Sequence, residues 1–500
     1  MQSKVGEAIQ EALSKGYQIE PAAFRLLQDV AESLDAVDLI NRAVEVKKAR
    51  NDSENILLKH DLEEVMPKQP EEIEQEALLR RVEGPSVADI EEEVEILKDP
   101  TPVLNPAEGG EGFSVLFKSR FEKLLRIASE RPDAHNIRRI DEVRSAPREG
   151  GLKVAGLVLG RKIRRDQVEI QLEDPTGKLT LFVSDEAKRA GMELLLDQLA
   201  IADVEFSKRG AAIARQIQSP DLPDHVPNQS SKHVYAVFLS DLHIGSKTFL
   251  GEAFQRLLLW LQAKLSDQTV VARVKYVVIG GDVVDGIGVY PEQESDLEEV
   301  DIHAQFAKAS QFIEQIPKHM KIFVCPGNHD PTRQALPQPA IPRKYAEVFY
   351  ASSNVAMLGN PCWLRLHGVK ILVYHGRSLD DVVATTPGLS FTKPAAAMKV
   401  LLKARHLAPM FGGRTPIGPE PEDHLVIDEV PDVFHCGHVH TVEAASYRGT
   451  LILNSGTFQG QTKYQANMGV VPTPGIVPVV DLANFEVLLR DFTKPYFVGS

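Results

Sequence analysis

The chain has 500 residues, 43% of them hydrophobic and 25% charged. That is too long for one hydrophobic core and ordinary for globular domains, which excludes a collagenous, wholly disordered or membrane-spanning class. Its formal charge of −14 argues at first against a nucleic-acid partner, since such chains are usually basic. The acidity is local, however: residues 52–99 hold 16 Asp and Glu against 5 Lys and Arg, a balance of −11, so the remainder carries only −3.

Cys325, Cys362 and Cys436 show no C-x-x-C spacing, which fits a reducing compartment. There is no run of about 18 apolar residues, and MQSKVGEAIQEALSKGYQIE lacks the apolar centre of a signal peptide. A cytoplasmic setting without a membrane partner is the expectation.

Residues 1–50 read as a small helical domain, with Val5, Ile9 and Leu13 at helical spacing and Phe24, Leu26, Leu27 and Val30 following. From 51 to 112, glutamate runs alternate with Pro67, Pro70, Pro85, Pro100, Pro102 and Pro106, which predicts a solvated acidic linker. Phe113, Leu116, Phe117, Phe121, Leu124 and Leu125 then form one helical stripe. Next come VAGLVLGRKI, QVEIQLED, KLTLFVS and AIADVEF, short β-type runs interrupted by a helical stretch near 187–198, with Asp174-Pro175-Thr176-Gly177 as a turn. This resembles an OB-fold barrel, so 113–222 is read as a helix plus OB domain. Arg161, Lys162, Arg164 and Arg165 give it a basic patch, yet few aromatics accompany them, and a scaffold role is as good a reading as DNA binding.

Beyond Pro220, Pro223 and Pro227, apolar strands alternate with helices over 230–500. Five strands end in polar clusters: Asp241-Leu242-His243; Gly281-Asp282 with Asp285-Gly286; Gly327-Asn328-His329-Asp330; His375-Gly376; and Gly437-His438-Val439-His440. In an α/β sheet, ligands gather at the carboxyl ends of strands, so groups spread over 200 residues can converge. An Asp-x-His pair or a single histidine is ordinary alone; the ordered set of five is not. Carboxylate, imidazole and amide oxygen suit Mn²⁺, Fe²⁺ or Zn²⁺. The donors exceed what one ion takes, and two ions sharing a carboxylate use them well.

D-x-H, GD-x-x-D-G, GNHD, HG and GHVH in this order resemble the calcineurin-like metallophosphoesterase superfamily. Val289-Tyr290-Pro291, Gln293-Glu294, Arg405-His406-Leu407-Ala408-Pro409 and Gly456-Thr457-Phe458-Gln459-Gly460-Gln461 further resemble the small-subunit family of archaeal family D DNA polymerases. The resemblance implies a multidomain fold in which an α/β metallophosphoesterase, a two-sheet sandwich flanked by helices, follows the barrel and the helical N-terminus. It implies a 3′→5′ proofreading exonuclease using two divalent cations, Mn²⁺ first, with Mg²⁺, Fe²⁺ or Zn²⁺ as alternatives. The implied partners are a large polymerising subunit, a single-stranded or frayed 3′ DNA end and, through the holoenzyme, a sliding clamp.

Carried over by motif, Asp241, His243 and His440 would hold one ion. Asp282 would bridge, and Asn328, His375 and His438 would complete the second site. His329 would act on the scissile phosphate, with Asp330 orienting it. Arg377, Arg405, His406 and Phe458 are candidates for substrate contact. A stand-alone metallophosphatase and a non-catalytic scaffold are the competing readings; the intact ligand set speaks against the scaffold, and the barrel and N-terminal helices against the phosphatase.

Overall fold

The computed structural model describes residues 2–30, 36–49, 55–65, 90–107, 109–146, 151–164, 167–265, 268–467 and 469–494. The chain divides into two compact units, Met1–Gly84 and Pro85–Ser500.

The first unit packs helices Gln2–Ser14, Pro21–Val30, Ala36–Ala49 and Lys59–Val65 around Ala8, Ala12, Leu27, Leu39, Ile40, Leu57 and Leu62. Small alanines let the first helix lie close against the third. The buried face of that helix is therefore Val5, Ala8 and Ala12, and Leu13 of the expected stripe is left exposed. Residues 18–19 and 56–57 pair as two short parallel strands. Lys47 and Asp61 form a buried ion pair at 3.3 Å.

The expected linker over 51–112 is thus regular at its start, where 56–65 complete this core, and again near its end. Its middle, 66–89, lies outside the described residues. Strand Val94–Lys98 is an edge strand of a sheet in the second unit, antiparallel to Cys362–Leu366. Pairing rather than burial holds it. Ile96 stays 46% exposed while Glu95 meets Arg365 and Lys98 meets Asp428, so sequence patterning carries no strand signal there.

The helix Gly109–Ser129 buries Leu116, Phe121, Leu124 and Ile127. After it, strands Leu152–Arg164, Gln167–Asp174, Gly177–Val183, Leu199–Phe206 and Ala212–Gln218 form a closed barrel. The first three pair in sequence, the third with the fifth, the fifth with the fourth, and the fourth back onto the first. A short helix, Lys188–Glu193, separates the third from the fourth.

The remaining chain forms two six-stranded sheets face to face. In the first, Val355–Met357, Lys321–Val324, Val274–Ile279 and Tyr235–Leu239 are parallel, followed by antiparallel Ile476–Asp481 and Val487–Asp491. The second has the order Glu443–Tyr447, Thr450–Asn454, Val433–Cys436, Val369–Val373, Cys362–Leu366, Val94–Lys98. Strand alternation divides the labour. Ala236, Phe238, Tyr276, Val278 and Phe323 meet Leu364, Ile371, Val373, Val433 and Leu453 between the sheets. Val237, Leu239, Val277 and Ile279 face helices Gly251–Leu261 and Ile302–Ile313. Helices Leu379–Thr385 and Pro394–Ala404 cover the second sheet. Strands buried on both faces explain the near-continuous apolar runs.

Candidate metal centre

The turns after Leu239, Ile279, Val324, Val373 and Cys436 meet at one end of the sandwich. Asp241, His243, Asp282, His438 and His440 all have positive φ, between 51° and 70°. Non-glycine residues adopt this conformation at a cost of about 1–3 kcal/mol each, and it recurs where function fixes a side chain. The loops also pass very close. A Cβ at Gly327 would lie 2.1 Å from Asp282 Oδ1, and one at Gly437 2.4 Å from Asp241 Oδ2. Only glycine permits that approach.

Three donor groups result. Asp241, His243 and His440 bring ligand atoms together, as do Asp282, His375 and His438, and His243, Asp285 and His329 form a third that shares His243 with the first. His243 Nε2 lies 3.1 Å from His440 Nε2 and 3.9 Å from both Asp241 Oδ1 and Asp282 Oδ2. His375 Nε2 lies 3.1 Å from Asn328 Oδ1 and 3.3 Å from Asp282 Oδ2. Asp282 therefore stands between the first two groups.

The donor set fits divalent cations, and two features of the geometry favour them. Asp241 Oδ1 is buried with no hydrogen-bond donor, although His440 Nε2 is 3.3 Å away. Three carboxylates share one floor and raise His243 and His375, while burial holds His329 and His440 below the usual histidine range. Burial pulls His243 down, yet Asp285, Asp282 and Asp241 outweigh it and raise the imidazole to about 9. Burial likewise opposes His375, which Asp282 lifts to about 9. Such a floor calls for positive charge.

The surrounding contacts fix these side chains. His243 Nδ1 meets Asp285 Oδ1 at 2.9 Å and His375 Nδ1 meets the Gly280 carbonyl at 2.9 Å, so each ring turns Nε2 toward the centre. Asp241 Oδ2 accepts the His438 N–H at 2.8 Å and the Ser240 hydroxyl at 2.5 Å. Ser240 continues through Ser455 to His435 Nε2 at successive distances of 2.8 Å. His438 Nε2 faces Asp380 at 3.2 Å, and Gln465 Nε2 touches His440 Nδ1 at 2.7 Å. Asp285 was visible in GD-x-x-D-G, three positions after Asp282; Ser240, Ser455 and His435 offered only a polar residue beside a strand end.

His329 lies beside His243, ring centroids 4.6 Å apart and perpendicular. Its N–H donates to Asp282 Oδ1 at 2.8 Å and its Nδ1 bonds the Asp285 carbonyl at 2.7 Å, and the ring lines the cleft. The expectation that Asp330 orients His329 does not hold. The Asp330 carboxylate accepts the N–H groups of Gly327 at 2.8 Å and Val283 at 3.1 Å, tying two loops together. Burial, then the charge of Asp282, pushes it up to about 7.

Three other candidates stand away from the cavity. Arg405, 3% exposed, donates to the carbonyls of Ile427 and Glu429. His406 is buried against Asp423 Oδ2 at 3.0 Å. Phe458 packs edge-on to Phe254 at 4.9 Å in the core. Each does structural work that a basic or aromatic residue in a motif does not reveal. Arg377 does reach the cavity, a cleft of about 380 Å³ lined also by Tyr290, Phe391 and Arg414.

The family model for the B-subunit of DNA polymerases alpha and epsilon matches residues 236–444, a span holding every residue of the donor groups above. The DNA polymerase II small subunit of Archaeoglobus fulgidus is 38% identical over 481 residues, 96% of each chain. That of Methanothermobacter thermautotrophicus is 40% identical over 380 residues, 74% of this chain and 78% of the relative. The Pyrococcus furiosus protein of the same name is 41% identical over 391 residues, 77% of this chain and 64% of the relative. The chain thus matches less than two thirds of that longer relative.

Proposed function

We infer the following for a chain that belongs to the family of archaeal DNA polymerase II small subunits: it is a cation-dependent 3′→5′ exonuclease serving a larger polymerising subunit. The observation that carries this reading is the convergence of five strand-end turns on one cleft, with Asp282 between two donor groups and Asp241 Oδ1 left without a donor. In this reading the sandwich is a metallophosphoesterase domain and the barrel an OB fold. Arg120 and Asp423 tie the helix Gly109–Ser129 to the phosphoesterase domain, Phe121, Leu124 and Ile127 pack it against Leu199 and Ile201 of the barrel, and this reading gives helix and barrel to the large subunit as its docking surface. Any sliding clamp is met through the holoenzyme. Among the described residues no helix is long and apolar enough to cross a membrane, and the reading needs no membrane partner.

Asp241, His243 and His440 would hold one ion and Asn328, His375 and His438 the other, with Asp282 standing between the two groups. Two divalent cations bound there supply Lewis acidity toward a phosphodiester and a more acidic water; Mn²⁺ suits the mixed donors, with Mg²⁺, Fe²⁺ or Zn²⁺ as alternatives. Asp285 sets the orientation of His243, and the Ser240–Ser455–His435 chain sets that of Asp241. His329, anchored through Nδ1 on the Asp285 carbonyl, presents Nε2 to the scissile phosphate. Burial lowers the His329 imidazole below the usual histidine range, so Nε2 donates to a phosphate oxygen or to the leaving 3′ oxygen only where the negative charge of the substrate outweighs that burial. The product is a nucleoside 5′-monophosphate.

The test is degradation of a 3′-labelled, mismatched primer with and without Mn²⁺. Stepwise nucleotide loss that disappears in Asp282→Ala is expected. Turnover of small aryl phosphates alone would mark a phosphatase, and inactivity on both a scaffold. Co-expression with the large subunit is expected to give a stable complex; separate elution would refute the partnership.

A further inference from the structure

The cleft carries arginine at its mouth. Its lining includes two arginines and, among the described residues, no lysine. Arg377 is already engaged: Nη1 donates to the Gln334 carbonyl at 3.1 Å and to its Oε1 at 2.8 Å, while Gln334 Nε2 bonds the Asn328 carbonyl at 2.9 Å. Arg414 is different. It is exposed, and its guanidinium makes no hydrogen bond or ion pair among the described residues.

The backbone beneath Arg414 is nevertheless fixed. Asp381, 5% exposed, accepts the Arg414 N–H at 2.7 Å through Oδ1 and the Thr415 N–H at 3.0 Å through Oδ2. Gly413 permits this contact, since a Cβ there would lie 2.6 Å from Asp381 Oδ1. The neighbouring Asp380 pairs with His438 at 3.2 Å. Its carboxyl stays low against the penalty of burial because of His438 first, and then Arg414 and Arg377. Both arginines therefore stand on the Asn328–His438 side of the centre, and the other mouth residues, Val289, Tyr290, Phe391, Val439 and Val470, carry no charge.

Charge accounting gives this arrangement a purpose. Two divalent cations are taken up by the carboxylate floor and by one phosphate. A small ester has no second phosphate, whereas a polynucleotide brings another one sugar away, and a guanidinium on a fixed loop can meet it as a bidentate donor. We propose that Arg414, supported by Arg377, binds the backbone phosphate next to the scissile one and so selects a polynucleotide over a small phosphodiester. This rests on the exonuclease reading above and adds to it the residue that recognises the strand.

The test compares wild type, Arg414→Ala and Arg414→Lys, with Arg209→Ala as an exposed control on the barrel. Fluorescence anisotropy reads the binding of a labelled oligothymidylate, with Ca²⁺ replacing the transition ion. A second assay with Mn²⁺ reads kcat and KM on that strand and on bis(4-nitrophenyl) phosphate. Arg414→Ala is expected to weaken strand binding about tenfold and to flatten the dependence of log affinity on log salt by about 0.7, the share of a single neutralised phosphate. KM for the strand should rise about as much with kcat within about twofold, and the small ester should be unaffected. Arg414→Lys should fall between. Unchanged strand affinity, or an equal loss on the small ester, overturns the proposal. A wild-type protein that binds the strand without cutting it refutes the exonuclease reading but leaves the affinity comparison decisive, and one that binds no strand overturns both.

Discussion

His406 offers a quantitative test of how this unit is held together. It is buried with Arg120 and Asp423, all with fully buried side chains, Arg120 Nε donating to Asp423 Oδ2 at 2.7 Å and His406 Nε2 lying 3.0 Å from the same oxygen. Burial, and after it the charge of Arg120, pulls the imidazole down to about 4, whereas an unfolded histidine titrates near about 6.5. Between those values the folded chain binds fewer protons than the unfolded one. Stability is therefore present above the unfolded value and is lost as pH falls toward the folded one. The full gap is worth about 3 kcal/mol, and about 2 kcal/mol of it falls between pH 7.5 and 5. His406→Gln keeps a neutral donor toward Asp423 and removes the titration. Urea unfolding can be followed through Trp260 and Trp363, both buried in this unit. Wild type is expected to lose about 2 kcal/mol relative to the variant on going from pH 7.5 to 5. A difference that does not change with pH would refute the reasoning.

Other substitutions separate structural from chemical roles. Arg120→Met leaves a buried carboxylate without its cation and should cost about 3–5 kcal/mol in the same urea transition; a loss below about 1 kcal/mol would contradict it. Asp285→Ala frees the His243 ring, and calorimetric affinity for Mn²⁺ should fall about 10–100-fold; unaltered affinity would show that the 2.9 Å contact does not orient His243. Phe458→Ala should cost about 3–5 kcal/mol through a core cavity while strand affinity stays unchanged. Weakened strand binding at unchanged stability would restore it to the substrate site.

What the sequence made legible depended on whether the signal was local. An apolar run ending in a Gly-bearing polar turn is a local pattern, so the turns at Asp241, Asp282, Asn328, His375 and His438 could be read in order. Alternation in QVEIQLED likewise appears in the structure as alternating burial. Strand Val94–Lys98 could not be read, because its partner lies some 270 residues away and only the sheet edge makes it a strand. Arg405 and His406 misled for a related reason. Side chains that bind phosphate elsewhere here satisfy buried carbonyls and a buried carboxylate, and nothing in RHLAP distinguishes those uses. Asp285 stands in GD-x-x-D-G, but its task is not legible there, since its partner His243 sits on another turn.

Anomalous scattering at the manganese edge, from crystals of the protein with Mn²⁺, tests the central claim most directly. The account predicts two peaks about 3.5–4 Å apart, one among Asp241, His243 and His440, the other among Asn328, His375 and His438, with Asp282 touching both. A single peak, or two that do not share Asp282, would contradict it.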